Sequence, residues 1–302
     1  MTTEERLQNL EVPRGPIDVV LDTDAYNEID DQFALAYLLR AEEKLHPQAI
    51  YAAPFSNTNA KDPKDGMEKS YVEIKKILRL AEKEVPVFKG SEEYLPNEQT
   101  SVLSPAAQDL AERAMRYNPQ APLYVVAIGA ITNIASAILL KPEICENIVV
   151  VWLGGHARHM PITDEFNMKQ DIAAARVVMQ SGVPFVQLPC AGVVNAFSVS
   201  GPELRLWLSN KNPLADYLAE NTIKAAERYA ADKPWTRVIW DVTAIAWLLN
   251  DENRFLFSRL IPVALPTYDY LYSTDESDTL MRYVYFVNRD ALFKDLVDKL
   301  TS

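Results

Sequence analysis

Short, continuously apolar segments alternate with helical segments along the first two thirds of the chain, and this alternation restricts the fold strongly. The clearest apolar segments read IDVVLD, PLYVVAI and NIVVVWL, at residues 17–22, 122–128 and 147–153. Each is rich in Val or Ile, and a pattern with helical spacing comes after it. Strands without polar alternation are typical of parallel sheets that helices cover on both faces. The chain is therefore predicted to be an α/β protein with an open, mostly parallel, Rossmann-like sheet flanked by helices.

The remaining elements are predicted from the same periodicities. Helices are expected at 30–41, 64–83, 105–116, 131–140, 171–180, 202–209, 213–230 and 241–250, and from residue 290 onward. Further strands are expected at 48–54, 85–88, 183–188, 260–266 and 281–287. The acidic segment 273–278 is predicted to be a solvated loop. Since no repeat, low-complexity tract or linker interrupts the pattern, we expect residues 1–302 to form a single domain.

The composition excludes several classes of protein. The 302 residues include 30 Lys and Arg against 42 Asp and Glu, a formal net charge of −12. Such a chain lacks the basic surface of nucleic-acid-binding proteins and is repelled by anionic membranes. No apolar run approaches the roughly 18 residues that span a bilayer, and the polar start has no apolar signal core. With Cys145 and Cys190 as buried free thiols, we expect a cytoplasmic protein that binds neither nucleic acid nor membranes.

Four aspartates lie close together directly after the first predicted strand. Asp22, Asp24, Asp30 and Asp31 occupy a strand–loop–helix junction, the place where sites gather in open parallel sheets. No Lys or Arg occurs between them, so the carboxylates would repel one another unless a cation neutralises them. Carboxylates without nearby Cys or His favour a hard divalent ion, Ca²⁺ or Mg²⁺. The junction therefore predicts a metal site.

Two other interpretations of this junction are open. Asp30 and Asp31 could cap a helix while Asp22 and Asp24 form a turn. A hydrophobic strand followed by Asp-x-Asp also opens the phosphatases of the haloacid dehalogenase type, in which the first Asp is the nucleophile. That pattern usually has Thr or Val two residues after the second Asp, where this chain has Tyr26, and an immediate Asp-Asp pair is foreign to it.

The junction and three later blocks together resemble the inosine-uridine-preferring nucleoside hydrolase family. That family opens with a strand, Asp-x-Asp, a short loop, and Asp-Asp at the start of a helix. The later blocks are AIGAITNIASAILLKPEI, WLGGHARHMPITDEFNMKQDIAAARVVMQSGVP and IWDVTAIAWLL, which follow in the family's order. The resemblance covers about residues 17–250 and implies a metal-dependent hydrolase that cleaves the N-glycosidic bond of ribonucleosides to give ribose and free base.

The resemblance also implies roles for individual residues. Asp24, Asp31, Asp241 and the backbone carbonyl of Thr132 would hold Ca²⁺, and Asp24 would also be the general base toward water. Ribose hydroxyls would be bound by four further side chains: Asp30, Asn57 (with Asn59 as its alternative), Glu165 and Asn167. The family is usually dimeric or tetrameric, so we expect a homo-oligomer whose ligand is a small-molecule nucleoside.

This chain departs from the family's pattern at positions that would face the substrate. Trp240 stands immediately before Asp241, where the family often has a His proposed to protonate the leaving base. His159 stands where the family typically has Asn near the ribose 5′-hydroxyl, and the loop AYNEI is longer than usual by two residues. Trp240 is expected to stack on the base, with the proton supplied by His159, by the substrate-binding His156 or by solvent.

Two alternatives concern the same region. Tyr229, Trp235 and Arg237 precede Trp240 in a segment that often forms a mobile wall over the base in the family, although a packed connection between helices is equally compatible with the sequence. The longer loop and the missing His also leave open a nucleoside or ribose binder without turnover. Besides the phosphatase, this binder is the competing function.

Overall fold

The structure is a computed structural model that describes residues 1–275 and 277–302. Glu276, within the predicted acidic loop, lies outside the described residues. The strands are β1 (Ile17–Thr23), β2 (Leu45–Ala52), β3 (Val87–Lys89), β4 (Leu123–Ala127), β5 (Ile148–Leu153), β6 (Phe185–Leu188), β7 (Ser198–Ser200), β8 (Thr236–Val238), β9 (Leu256–Pro262) and β10 (Leu280–Val287). Eight of them form one sheet in the order β3-β2-β1-β4-β5-β6-β10-β9, and β7 pairs with β8.

The sheet is parallel except at one edge, where β9 runs antiparallel to β10. The helices are α1 (Thr3–Asn9), α2 (Asp30–Leu39), α3 (Pro63–Ala81), α4 (Pro105–Arg113), α5 (Thr132–Leu140), α6 (Phe166–Gln170), α7 (Ile172–Gln180), α8 (Gly201–Trp207), α9 (Pro213–Ala230), α10 (Val242–Leu248) and α11 (Arg289–Thr301). Of the helices in the described part of the chain, none has the length and apolar character to cross a membrane.

Helices cover both faces of the sheet, which explains the continuously apolar strands. In β1, Val19 and Leu21 are fully buried in the core shared with α2, α3, α9, α10 and α11. Val20 is fully buried in the opposite core, shared with α4, α5 and α7. Because both faces of the strand exclude water, neither face tolerates polar residues.

The strand order places a topological switch beside β1. The chain adds β2 and β3 on one side of β1, then returns to add β4, β5 and β6 on the other. The loops after β1 and β4 therefore diverge to opposite sides and leave a crevice at the carboxyl ends of these strands. This crevice is where the acidic junction lies.

The predicted fold class is confirmed, and most element boundaries agree within a few residues. The prediction for β9 is wrong by four residues, since 260–266 was expected and Leu256–Pro262 is observed. β9 is the sheet edge, where Phe257 and Arg259 are exposed, so its first half does not read as an apolar run. Sequence periodicity also missed α1, α6, β7 and β8, which are too short for a period to show, although Thr2 and Glu5 form a capping box before α1.

Candidate active site

The acidic junction is built by the end of β1 and the first turn of α2. Asp24 follows β1 directly, and Asp30 and Asp31 are the first two residues of α2. Ile29 occupies the N-cap position and forms no side-chain cap, so neither aspartate is explained as the helix cap. Thr23 Oγ1 donates a 2.5 Å hydrogen bond to Asp31 Oδ1, which ties the start of the helix to the end of the strand.

A third element completes a cluster of carboxylates. Asp241 immediately precedes α10, which packs against α2. One carboxylate oxygen from each of Asp30, Asp31 and Asp241 lies within 4.8 Å of the others, and all three residues are buried. The structure thus brings together residues separated by about 210 positions in the sequence.

Asp24 lies beside this cluster and is entirely buried. Among the described residues, neither of its carboxylate oxygens has a hydrogen-bond partner. A Cβ on Gly129 would lie 3.1 Å from Asp24 Cγ, so the glycine lets the loop after β4 approach this carboxylate closely. A buried carboxylate without partners is costly unless a ligand satisfies it.

The electrostatics of the cluster indicate what the ligand would be. Burial raises the pKa of Asp24 well above its ordinary value, and the charges of Asp31 and Asp30 raise it further. Burial and the neighbouring carboxylates likewise raise the pKa of Asp241, and burial raises the pKa of Asp31 to about 6. A divalent cation would relieve both the burial and the repulsion, and an all-carboxylate donor set suits a hard ion. The residues therefore fit a bound metal.

A pocket of about 250 Å³ opens above these carboxylates. It lies at the carboxyl ends of β4, β5 and β6 and is bounded by the starts of α2, α6 and α10. Its walls are formed by Asn27, Glu28, Asp30, Asp31, Ile128, Leu153, His156, Glu165, Phe166, Asn167, Cys190, Trp240 and Asp241. Seven predicted site residues therefore line one cavity: Asp30, Asp31, His156, Glu165, Asn167, Trp240 and Asp241. Asp24, Asn57, Thr132 and His159 are not among its lining residues.

Glu165 and Asn167 hold the far wall of the pocket through their own hydrogen bonds. Glu165 accepts from the backbone N–H groups of Gly155, Asn167 and Met168, each at 2.9 Å. Asn167 Nδ2 donates to the carbonyls of Ile128 (3.1 Å) and Leu153 (3.0 Å). Since the amide nitrogen of Asn167 is occupied, its oxygen is the atom left for a ligand in the pocket.

Two asparagines that are not among the pocket-lining residues hold the loop 25–29 through hydrogen bonds. Asn57 Nδ2 donates to Asn27 Oδ1 at 2.7 Å, and Asn59 Nδ2 donates to the Asn27 carbonyl at 2.9 Å. Asn27 itself lines the pocket, although sequence reasoning did not select it. In the structure, then, Asn57 and Asn59 contact the loop rather than the cavity.

The remaining predicted residues take different positions. Thr132 is the first residue of α5 and is fully buried, and its hydroxyl donates to Asp171 at 2.7 Å. Trp240 lines the pocket and is half-buried, next to Asp241. His159 is exposed and approaches Gly192, outside the pocket.

His156 lines the pocket, and one of its ring nitrogens accepts a hydrogen bond. Its Nδ1 accepts from the Ala191 N–H at 3.3 Å, and its Nε2 lies 3.7 Å from Asp164 Oδ1. Burial lowers the pKa of His156, although the nearby Asp164 opposes this change. The imidazole is consequently neutral near pH 7.

An ion pair at the rim of the pocket joins two segments. Arg237 of β8 pairs through Nη2 with Oε2 of Glu28, which lines the pocket and is 42% exposed. The 25–29 loop is therefore linked to the segment before Trp240. Arg237 belongs to the segment expected either to cover the base or to connect helices, whereas Glu28 was not selected from the sequence; the pairing joins positions about 210 residues apart.

The topology, the carboxylate cluster and the pocket define a ligand-binding α/β protein with a site suited to a hard cation. Comparison with known sequences identifies the family within this class. The chain belongs to the inosine-uridine preferring nucleoside hydrolase family, whose sequence profile matches residues 19–284. The predicted resemblance is thus confirmed over most of the chain.

Individual relatives agree with this assignment. The chain is 28% identical over 164 residues to a pyrimidine-specific ribonucleoside hydrolase of Salmonella paratyphi A, a match covering 52% of each protein. The matched region therefore spans about half the length of the curated relatives. Among solved structures, a plant nucleoside hydrolase gives a TM-score of 0.75 at 17% identity, covering 95% of this chain and 99% of that one.

A second solved structure shows the same fold. An inosine-uridine preferring nucleoside hydrolase from Bacillus anthracis gives a TM-score of 0.71 at 17% identity, covering 94% of this chain and 99% of that one. Similarity at this level of identity concerns the fold, so the activity of this chain has to be argued from its own residues.

Proposed function

We propose that this protein is a metal-dependent N-ribosyl hydrolase that cleaves ribonucleosides to ribose and free base. The observation that carries the proposal is the buried cluster of Asp30, Asp31 and Asp241 beneath the pocket. Beside it lies Asp24, whose carboxylate has no hydrogen-bond partner within the described part of the chain. Membership of the nucleoside hydrolase family supports this reaction over that of a phosphatase.

The proposed metal is Ca²⁺, held by Asp24, Asp31, Asp241 and the backbone carbonyl of Thr132. The hard, all-oxygen donor set supports this choice. Asp30 also belongs to the cluster, so it is a further candidate ligand. When bound, the ion supplies Lewis-acid activation of the attacking water and neutralises the carboxylates around the ribose.

The ribose would be positioned by the polar walls of the pocket. Asp30 and the free oxygen of Asn167 are suited to accept hydrogen bonds from sugar hydroxyls. Glu165 orients this wall, because its carboxylate fixes the backbone of Gly155 and Asn167. Asn57 is proposed to act on the ribose through Asn27, which it holds in the pocket wall.

Cleavage breaks the bond between C1′ and the base nitrogen, and positive charge develops on the sugar. Asp24 is proposed to accept the proton of the attacking water as general base, since its buried carboxylate oxygens have no hydrogen-bond partner among the described residues. The surrounding carboxylates would stabilise the cationic sugar in the transition state. Trp240 is proposed to stack on the base.

The direct test is a panel of nucleosides assayed for release of ribose, with and without a chelator. We expect ribose release in the presence of Ca²⁺ and none after chelation. Tight binding of ribose without hydrolysis of any nucleoside would instead favour the non-catalytic binder. Hydrolysis of p-nitrophenyl phosphate alone would favour the phosphatase.

Three further properties are proposed on the basis of the resemblance and the composition. The chain is proposed to be cytoplasmic, to form one domain over residues 1–302, and to assemble as a homodimer or homotetramer. Light scattering coupled to size-exclusion chromatography measures the oligomeric state directly, and a monomeric mass at micromolar concentration would contradict that part of the proposal.

A further inference from the structure

Acidic side chains greatly outnumber basic ones around the pocket. Five of its lining residues are acidic, and Asp24 lies beneath them: Glu28, Asp30, Asp31, Glu165, Asp241 and Asp24. None of the described lining residues is Lys or Arg. Even with a divalent ion and the Arg237 guanidinium, three positive charges would face six carboxylates. The field in the cavity therefore attracts cations.

Trp240, which immediately precedes Asp241, cannot act as a general acid. Trp240 lines the pocket where it would contact a base, and its indole does not titrate near neutral pH. His156 lines the same cavity as a neutral imidazole, since burial lowers its pKa; its Nδ1 accepts from the Ala191 N–H and its Nε2 lies 3.7 Å from Asp164 Oδ1, so it is a weak acid near pH 7. A neutral purine or pyrimidine leaves as an anion unless it is protonated, and an anion is disfavoured among these carboxylates.

These two features fit a base that is already positively charged. We infer that the substrates best suited to this site are N-ribosides of cationic heteroaromatic bases, such as ribosylated pyridinium compounds, an inference that rests on the proposed hydrolase activity. When the C1′–N bond breaks, the bonding electron pair returns to the ring nitrogen and the base departs neutral. Water adds to C1′, and its proton passes to Asp24 and then to solvent, so no acid is required.

Two residues at the pocket rim would recognise such a base. A cationic ring stacks on an indole face with an additional electrostatic attraction, which Trp240 offers. Glu28 supplies a carboxylate on the same rim, held in place by Arg237. Glu28 belongs to the lengthened AYNEI loop, so the loop and Trp240 together account for the selectivity.

The test compares nicotinamide riboside, a cationic substrate, with the neutral uridine and inosine at several salt concentrations. We expect kcat/KM to be highest for nicotinamide riboside and to fall as ionic strength rises, while the neutral substrates are insensitive to salt. Glu28→Gln should lower the ratio of cationic to neutral kcat/KM about fivefold, the size of effect expected from one exposed charge. Glu220→Gln, a matched charge change on the exposed face of α9, should leave that ratio unchanged.

Cationic ribosides are also intrinsically more labile, so a second readout avoids bond cleavage. N-methylnicotinamide and nicotinamide differ mainly in charge, and the cation should inhibit hydrolysis of p-nitrophenyl riboside at lower concentration. Equal inhibition by the two, or a ratio unaffected by Glu28→Gln, would overturn the inference. Hydrolysis of uridine or inosine in preference to nicotinamide riboside would overturn it while upholding the hydrolase, whereas hydrolysis of no riboside would remove the proposed function itself.

Discussion

The floor and the rim of the pocket are built in opposite ways. The floor consists of Asp24, Asp30, Asp31 and Asp241, which are all buried and lie at the ends of a central strand and two packed helices. The rim consists of Asn27, Glu28, Arg237 and Trp240, which lie on a loop, a three-residue strand and a turn and are largely more exposed. In the proposed reaction, the floor would act on the ribose and the C1′–N bond shared by all N-ribosides, whereas the rim would contact the base, which varies.

This difference between floor and rim predicts how substitutions in each part would affect activity. The floor residues are buried at the ends of packed elements, so we expect a substitution there to alter the chemistry rather than the fold of the loops. The rim residues are held by a few side-chain contacts, such as those of Asn57 and Asn59 with Asn27 and of Arg237 with Glu28. We expect floor variants to lose turnover and rim variants to change substrate choice, and four predictions test this division.

The largest effect is expected at Asp24. Asp24→Asn should lower kcat/KM for p-nitrophenyl riboside about 10³-fold, because it removes the proposed general base. Its stability without metal should be unchanged or higher, since both carboxylate oxygens lack partners among the described residues. Asp18→Asn, at the opposite end of β1, is the matched control and should retain turnover. Near-wild-type kinetics in Asp24→Asn would refute the assignment.

The next effect is expected where the loop after β4 approaches the floor. Gly129→Ala would place a Cβ 3.1 Å from Asp24 Cγ, so the carboxylate would have to shift. Because changes to the groups around metal ligands typically cost about 10- to 100-fold in metal affinity, we expect the affinity for Ca²⁺ to fall by this factor. Isothermal titration measures this affinity. Turnover at saturating Ca²⁺ should largely recover. An unchanged affinity would show that Asp24 is not a ligand.

At the rim, Trp240→Leu should act on the base rather than on the ribose. Loss of stacking should raise KM for nucleosides about tenfold, with a smaller change in kcat. The kcat for p-nitrophenyl riboside serves as the comparison, because this substrate has an activated leaving group that departs without a proton. If Trp240→Leu lowered kcat as much as Asp24→Asn does, the proposed separation of roles between floor and rim would be wrong.

The smallest effect concerns stability and pH. Asp31 and Asp22 have pKa values of about 6 and about 7 in the folded metal-free chain, raised from 3.8 by burial. The folded state thus binds protons more tightly than the unfolded state, so metal-free stability should fall as pH rises from about 4 to about 7. Thermal unfolding in chelator should show this fall, and added Ca²⁺ should stabilise the protein more at pH 7 than at pH 5. A metal-free protein that gains stability over this range would contradict the raised pKa values.

The sequence predicted the floor better than the rim for a physical reason. The parallel strands and the Asp pairs leave local signals, namely continuous apolar runs and carboxylates at a strand–helix junction. The distance of Asp241 from the first Asp pair made its position depend on the family resemblance, and the structure brings it beside Asp30 and Asp31. These residues are also buried, at the ends of elements that pack against one another.

The rim depends on contacts that no local pattern shows. The pairing of Glu28 with Arg237 and the hydrogen bond from Asn57 to Asn27 both join separate loops. His159 is exposed and outside the pocket, although its place in the Gly-Gly block suggested a role toward the leaving base. Spacing within a loop does not determine which side chain faces the cavity.

The proposed hydrolase activity requires above all a divalent ion that the floor holds during cleavage of N-ribosides. Ribose release from a nucleoside panel, measured on chelator-treated protein before and after Ca²⁺ is restored, tests this most directly. We predict that hydrolysis is lost with the metal and returns with Ca²⁺, and that Asp24→Asn is not rescued. Full turnover by protein shown to be free of divalent metal would contradict the account.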